Sequence, residues 1–592
     1  MRVVRAGIVA VAVGLVAAVS ASAQAKVTLM PGVNYQQGVE FTTHGPVTYH
    51  VLVAPRPDNG LYAIRPVLSN ETILGREKVT SMQKRYAQSA TLAGVNGDLF
   101  NWKNGYPSGA LLRGGILDHP PLGDRSSVGI DATGNLRVDR VQFFGIWRGL
   151  GQRRALNNFN QPAVANQVVL FTPAYGAATP AAPGSVEAVI VPFAQTQPNV
   201  DLNGPVVELR QGGRTPIPAG GAVLVARGTA APKLAAEAPV GTTLTMRLIL
   251  QPDWTGVVDA LGGGPVLVRD GKPIFRALEV FTVDQLQLRH PRTAVGQLAD
   301  GRFLFLAVDG RQPGYSTGMT NFELAQTMTR LGAVTASALD AGGSTTMAFD
   351  GKLLNLPSDP SGERPVAESL NVFYYGAYAP AVVPEVLSPN GDAFDETASL
   401  SYKLVRPSSV TATLVGPAGT SFVLDQSAAG ELRPPGTYPF VWDGLDPVTR
   451  VPAPEGKWSW TVFATDESGI PSTATRTFFL NRTLSQLSVS PTLLRLPPRG
   501  APLTASFTLA SPARVALRIE TSGGTIVRTT PPAALQAGAQ SLSWDGLLPS
   551  GAPVHSGRYV AGVVAVNQFG TAELESPFTV RRVAPKPKPK RK

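Results

Sequence analysis

The sequence predicts an α+β domain rich in strands, followed by two copies of a small all-β sandwich. Three observations carry this expectation: an abundance of turn formers, one well-marked amphipathic helix, and an internal repeat beyond residue 380. The 592 residues include 61 Gly and 52 Pro, and so many turn formers imply many short strands. At 43% hydrophobic and 16% charged residues, the chain has the composition of a globular protein.

The N-terminal stretch MRVVRAGIVAVAVGLVAAVSASAQA places Arg2 and Arg5 before an apolar run and small residues around Ala21, Ala23 and Ala25. This is the pattern of a signal peptide over residues 1–25, cleaved near Ala23 or Ala25, and it predicts export to the periplasm, cell surface or medium. No later segment has the roughly 18 uninterrupted apolar residues of a membrane span, so the mature form is expected to lack a transmembrane helix. With no cysteine, stability outside the cytosol must come from cores large enough to do without disulfides. The formal charge of +11 lies partly in the terminal KPKPKRK of a basic 583–592 tail. The remainder is scattered without the interleaved aromatics of a base-stacking surface, which argues against a nucleic-acid partner. A loose attraction to anionic envelope polymers, or a solvated tail, accounts for it.

Residues 26–378 alternate strand-like runs with few helical ones. In TNFELAQTMTRLG, Thr320 stands three residues before Glu323 as a capping box, Leu324, Met328 and Leu331 form one stripe, and Gly332 is placed to end the helix. Glu323 therefore reads as a cap. Two apolar strands end in acids: GRFLFLAVDGR delivers Asp309 and Arg311, and AVTASAL runs into Asp340. Asp270, Asp300 and Asp350 sit in short Asp-Gly turns and read as hairpin residues. Asp340 differs, because the Ala-Gly-Gly-Ser that follows is required by no tight hairpin. LDAGGSTTM offers a carboxylate, backbone N–H groups and hydroxyls together, a combination suited to holding an anion.

A Pro-rich stretch near residue 380 marks a boundary. Beyond it, FVWDGLDPVTRVPAPEGKWSWTVFATDESG aligns with LSWDGLLPSGAPVHSGRYVAGVVAVNQFG: Trp442 with Trp544, Gly456 with Gly557, Gly469 with Gly570. Two copies of one unit are expected, over 379–480 and 481–582, each alternating apolar and polar residues about a Trp that fills the gap between two sheets. The pattern resembles the immunoglobulin-like domain of flagellar hook-capping proteins. SPNGDAFDET matches the start of that repeat, and its Asp392, Asp395 and Glu396 read as turn formers or as oxygen ligands for Ca2+.

GVNGDLF, LNNFNQP, LFTPAYG, ALGGGPVLVRDGK, RHPRTAVG, LAVDGRQPGYSTGMTNFELA, LDAGGSTTM and ERPVAESL occur in order between residues 94 and 370. Together they resemble the phosphodiester glycosidase family, whose animal member removes N-acetylglucosamine from the mannose-6-phosphate marker. Asn96-Gly97-Asp98-Leu99-Phe100 departs from the family's usual Asn-Gly-Gly-Phe-Phe. Asp340-Ala341-Gly342-Gly343-Ser344 departs from Asp-Gly-Gly-Gly-Ser. Asp98 adds a carboxylate, and Ala341 removes backbone freedom.

The resemblance implies an exported hydrolase that cleaves the glycosidic C–O bond of sugar-1-phosphodiesters in envelope or extracellular glycopolymers. Arginine forks suit phosphate, which singles out Arg292, Arg311 and Arg364. Gly342, Gly343, Ser344 and Thr345 can aim N–H and hydroxyl donors at the same group, with Asn96, Asp98 and Thr293 as further binding candidates. Asp340 is the first choice and Asp309 the second for the carboxylate that manages water and developing charge on the sugar. The sequence requires no cofactor. The five histidines lack metal-ligand spacing, while an oxygen-bound Ca2+ or Mg2+ stays open. Two other readings stand beside this one: a non-catalytic polysaccharide-binding envelope protein and an oxygen-ligated metal-dependent phosphodiesterase.

Overall fold

The computed structural model describes residues 26–57, 60–274, 278–496 and 501–582. The expected signal peptide and basic tail lie outside the described residues. Strand accounts for 52% and helix for 7%, so the protein is mostly β, with less helix than an α+β label suggests. No helix among the described residues is long and apolar enough to cross a membrane. The chain divides into two compact units, one dominated by residues 92–372 and the other by residues 373–592.

In the first unit, an eight-stranded antiparallel sheet has Gly45–Ala54, Phe303–Val308, Arg292–Leu298, Ala333–Ala338 and Val266–Arg269 side by side at its centre. Phe303–Val308 is buried at every position, as expected for a central strand covered on both faces. The helix Asn321–Arg330 lays Leu324, Ala325 and Met328 on this sheet, against Leu304, Leu306 and Ala336. Its capping box is closed: Glu323 N–H donates to Thr320 Oγ1 at 3.2 Å, and Thr320 N–H donates to Glu323 Oε2 at 2.8 Å. Glu323 is a cap, as its spacing predicts, and Gly332 follows the helix end with φ +93°. The Asp-Gly turns are likewise structural: Arg269 pairs with Lys272 and Phe349 with Lys352 across them.

Register decides what this sheet presents at one edge. Arg292 lies opposite Val308, and Ala294 opposite Ala338. The first residue of one strand and the residues just past the ends of its two neighbours therefore emerge at one edge, which brings Arg292 and Asp340 there, 48 positions apart in sequence, with Asp309 at the end of the strand between. A five-stranded sheet has Thr91–Asn96 between Met347–Phe349 and Glu368–Tyr374, and it brings Asn96 and Glu368 to the same region. A second eight-stranded sheet, centred on Asp201–Gly213 and Ala181–Ile190, encloses its own core around Trp147, Leu248 and Trp254.

The second unit repeats its local architecture as the sequence repeats. Gly456–Asp466 and Gly557–Asn567 are eleven-residue strands. Trp442 Nε1 donates to the Leu445 carbonyl at 2.7 Å, and Trp544 Nε1 to the Leu547 carbonyl at 2.9 Å. Each Trp is 2–3% exposed and belongs to a separate core, one holding Tyr402, Trp458 and Phe478, the other Leu517, Tyr559 and Phe578. Asp392 Oδ1 accepts from Phe394 N–H and Glu396 Oε1 from Gly391 N–H. Among the described residues no group of carboxylates and imidazoles is arranged to hold a metal ion. Asp392 and Glu396 thus make the contacts of turn formers.

Trp458 is fully buried, with Trp442 at 4.7 Å and Phe422 stacked at 5.5 Å between ring centroids. Trp458→Ala should destabilise this core by about 3–5 kcal/mol, the usual cost of deleting a buried aromatic. Chemical denaturation followed by tryptophan fluorescence should show the transition of this region at lower denaturant, with the residue 481–582 region keeping its own midpoint.

Candidate functional site

The cleft at the shared strand ends is built from the main chain outward. Asp340 N–H donates to the Gly97 carbonyl at 3.0 Å, and Asn96 Nδ2 donates to the Asp340 carbonyl at 2.9 Å. Asn96 Oδ1 in turn accepts from Thr293 Oγ1 at 2.7 Å and from Thr346 N–H at 3.0 Å. Asn96 is fully buried and its amide is committed to three protein partners on three segments. It positions Asp340 and, with Thr293, lies behind the cleft wall instead of facing a ligand.

Asp340 itself lines a cleft of about 180 Å³, together with Trp102, Phe281, Asp284, His290, Arg292, Arg311 and Arg364. Its Oδ1 accepts from the Ala341 N–H at 2.8 Å. Burial pushes its carboxyl up to about 6, against the pull of the Ser344 hydroxyl, the Ala341 N–H, Arg364 and Arg125. Ala341 sits at φ −119°, ψ −177°, extended backbone that any residue adopts. The positive φ of +71° falls on Gly342, so alanine at position 341 costs the loop no strain. Gly342 N–H donates to the Pro291 carbonyl at 2.9 Å, so it is used within the protein and is not aimed at an anion.

Each arginine is held differently. Arg292 donates to three carbonyls, those of Met319, Gln285 and Leu288, at 2.6–2.8 Å, and burial lowers its pKa to about 10. It organises the segment Val283–Gln287 and presents a cation at the cleft wall with most of its fork already spent. Arg364 makes a two-point ion pair with Asp359 at 2.7 and 2.8 Å, donates to Ser344 Oγ at 3.3 Å, and lies 4.4 Å from the centroid of the Trp102 ring. Arg311, with φ +59°, has as its partner a neutral acceptor. Its Nη2 meets His290 Nδ1 at 2.9 Å, while His290 Nε2 faces Asp284 Oδ1 at 3.2 Å. That geometry assigns the ring proton to Nε2. Burial, then Arg311 and Arg292, lower the His290 pKa, which keeps the imidazole an acceptor. Among the described residues neither Arg311 nor Arg292 makes an ion pair with a carboxylate, but Arg311 has a single imidazole as its side-chain partner where Arg292 has three main-chain carbonyls.

Asp309 is placed elsewhere. It is almost fully buried, and its oxygens meet His50 Nε2 at 2.9 Å, Tyr315 Oη at 2.9 Å and Asn355 Nδ2 at 3.0 Å, with Leu356 N–H at 3.2 Å. It does not line the cleft. With its acceptor directions used, Asp309 anchors the irregular loop that carries Arg311, and its strand-end position reflects that loop's need for a fixed base. Asp98 and Thr345 also stand behind the lining. Trp102, Arg125, Phe281, Asp284 and His290 were not among the sequence candidates. His290 lay within the quoted RHPRTAVG, but the others carry no local signal, since they reach the site from loops separate in sequence.

Gly343 explains itself by contact: a Cβ there would lie 2.0 Å from Arg364 Nη2 and 2.0 Å from Asp359 Oδ1. Gly343→Ala should break the Arg364–Asp359 pair and loosen the Trp102 contact, seen as a change in tryptophan emission. Asn96→Ala leaves the Thr346 N–H and the Asp340 carbonyl without their partners, and should lower unfolding stability by about 3 kcal/mol in denaturant titration.

Residues 196–373 match the family model of the phosphodiester glycosidases, and residues 498–568 match that of the FlgD Ig-like domain. The SPbeta prophage-derived uncharacterized protein YomE of Bacillus subtilis (strain 168) is 36% identical over 119 residues, 20% of this chain and 18% of that protein. The match thus spans less than a fifth of this relative's length. Among solved structures, a hypothetical protein from Synechocystis shares 25% identity over 58% of this chain and 62% of its own, with a TM-score of 0.49. The zebrafish N-acetylglucosamine-1-phosphodiester alpha-N-acetylglucosaminidase catalytic domain, auto-inhibited by its pro-peptide, shares 15% identity over 60% and 86%, with a TM-score of 0.32. The strands and loops that supply Arg292, Arg311, Asp340 and Arg364 all lie within the segment that matches the phosphodiester glycosidase family model, and the segment that matches the FlgD Ig-like domain follows later in the chain.

Proposed function

We propose that the protein is an exported hydrolase that cleaves the glycosidic C–O bond of sugar-1-phosphodiesters, with envelope or extracellular glycopolymers as its substrate class. The observation that carries this reading is one carboxylate, Asp340, set in a cleft with three arginines, within a segment matched to phosphodiester glycosidases. The cleft gathers three guanidinium groups beside the carboxylates of Asp340 and Asp284, with Arg364 paired to Asp359, and arginine forks suit the oxygens of a phosphodiester monoanion. Trp102 and Phe281 offer flat apolar surfaces for a sugar ring.

In this reading, water adds to the anomeric carbon as the C–O bond to phosphate breaks, and the phosphate leaves as a monoester of its other alcohol. That monoester is a good leaving group, so arginine charge can stabilise its departure without a strong general acid. Arg311 is the principal phosphate contact, because its side chain is held by a neutral imidazole that can yield to a better acceptor. Arg364 is pre-aligned by Asp359 and Trp102. Asp340, ionised above about pH 6, removes the proton from water or stabilises positive charge on the sugar.

Reaction in ¹⁸O-labelled water with mass analysis of both products should place the label in the released sugar. Label in the phosphate would mean attack at phosphorus and would sink the mechanism. Asp340→Asn should lower kcat by on the order of 10²–10⁴ while binding of a substrate analogue persists. Equal turnover in the two proteins would remove Asp340 from the chemistry, and analogue binding with no turnover in either would favour the binding-protein reading. Arg311→Lys should cost about tenfold or more in kcat/KM, since an ammonium cannot reproduce a planar fork; unchanged kinetics would remove Arg311 from the phosphate site.

A further inference from the structure

The motif LNNFNQP plays no part in the cleft. Gly145 pairs with Leu156 across two antiparallel strands, Gln142–Arg148 and Arg154–Leu156, so the register sets Phe144 opposite Asn157. Asn157, Asn158 and Gln161 line a groove of about 420 Å³ together with Gln142, Phe144 and the loop over residues 120–123. No charged side chain lines this groove, whereas three arginines and two aspartates line the cleft. Phe144 is 45% exposed, so its ring is open to a ligand.

Hydrogen bonds within the protein orient the amides. The buried His119 has Nδ1 2.7 Å from the Gly109 carbonyl, so Nδ1 carries the ring proton and Nε2 accepts from Gln161 Nε2 at 2.9 Å. Burial lowers this imidazole to about 4, which keeps it an acceptor. Gln161 Oε1 accepts from Asn158 Nδ2 at 2.9 Å, Asn158 Oδ1 from the Phe159 N–H at 2.9 Å, and Asn157 Oδ1 from the Val168 N–H at 2.8 Å. The carbonyl oxygens of these three amides are therefore taken. Their N–H groups are not: among the described residues Asn157 Nδ2 has no partner, and Asn158 and Gln161 each spend only one of two amide protons. Such a surface suits an occupant that brings acceptors without charge.

Two links set the groove beside the cleft. Gly109, whose carbonyl takes the His119 proton, lies against Asp98: a Cβ on that glycine would fall 2.8 Å from Asp98 Oδ2. The loop over residues 120–123 runs on to Arg125, whose Nε donates to the Val280 carbonyl at 3.2 Å, next to the cleft residue Phe281. We propose that the groove is a binding subsite for neutral sugar units of the glycan that carries the phosphodiester. Sugar hydroxyl and acetamido oxygens accept from the spare amide N–H groups, and the Phe144 ring offers a face for a pyranose. Charge is recognised in the cleft and neutral sugar in the groove. The part this subsite plays in turnover rests on the hydrolase reading above; sugar binding itself does not.

Isothermal titration calorimetry of full-length protein with maltohexaose, mannohexaose and N-acetylchitohexaose tests the groove without any turnover. At least one of these neutral glycans should bind wild type, and Phe144→Ala should weaken that binding about tenfold. Gln142→Ala should weaken it as well; both side chains are exposed, so neither variant removes a part of the core. Asp340→Asn should bind the same glycan as wild type does, which keeps this result separate from the fate of the hydrolase reading. With a phosphodiester-linked polymer as substrate, Phe144→Ala should raise KM and leave kcat, while turnover of a small soluble sugar-1-phosphodiester stays unchanged. Binding that neither groove variant alters, binding lost in Asp340→Asn, or no binding of any of the three glycans would overturn the subsite. An unchanged KM for the polymer in Phe144→Ala would overturn its part in turnover.

Discussion

The site depends on the tie between the ends of Thr91–Asn96 and Ala333–Ala338. A carboxylate at the end of a buried strand keeps its aim only if its own peptide groups are fixed, and both peptide groups of Asp340 are: the N–H on Gly97 and the carbonyl on the Asn96 amide. Asn96 extends the tie to Thr293 and Thr346. Four segments from two sheets therefore share one side-chain amide, and moving any of them moves the carboxylate. Such a fully satisfied polar network in a low-dielectric interior is rigid, because every alternative arrangement leaves a donor or acceptor unpaired.

The same principle orders the cations. Arg292 has its donors on main-chain carbonyls and Arg364 is locked to Asp359, so both contribute charge and shape more than free hydrogen bonds. Arg311 is kept available by a different device, a histidine held neutral by burial and by the neighbouring arginines. Its loop is anchored by Asp309, which spends its carboxylate on His50, Tyr315, Asn355 and Leu356. The two strand-end acids that look alike in sequence thus divide the work: one faces the cleft and the other holds the loop that carries the cleft's available arginine.

Much of this architecture is legible in the sequence. The capping box at Thr320, the Asp-Gly hairpins, the tryptophan-centred repeat and the apolar strand entering Asp340 are local patterns, set by hydrogen bonds and periodicities within a few residues, and all appear as read. The arginine set and Asp340 are found together at one cleft because ordered motifs mark their segments. Glu368 was hidden inside a quoted motif, since nothing about a glutamate in a strand announces that one of its oxygens lacks a donor. Trp102, Arg125, Phe281 and Asp284 were hidden because contact across loops leaves no trace in spacing.

By itself the sequence determined a strand-rich chain, the positions of its turns and helix cap, the repeated unit and the likeness to phosphodiester glycosidases, because each is encoded in the order of neighbouring residues. Only the tertiary structure decided which donors and acceptors were already taken. That separates Asp340 from Asp309 and Arg311 from Arg292. It also reveals the contact of the Asp98 N–H with Glu368 Oε1, residues 270 positions apart. The physical reason is that a polar group's chemistry depends on what satisfies it, and in a buried site the satisfying group comes from wherever the fold brings it.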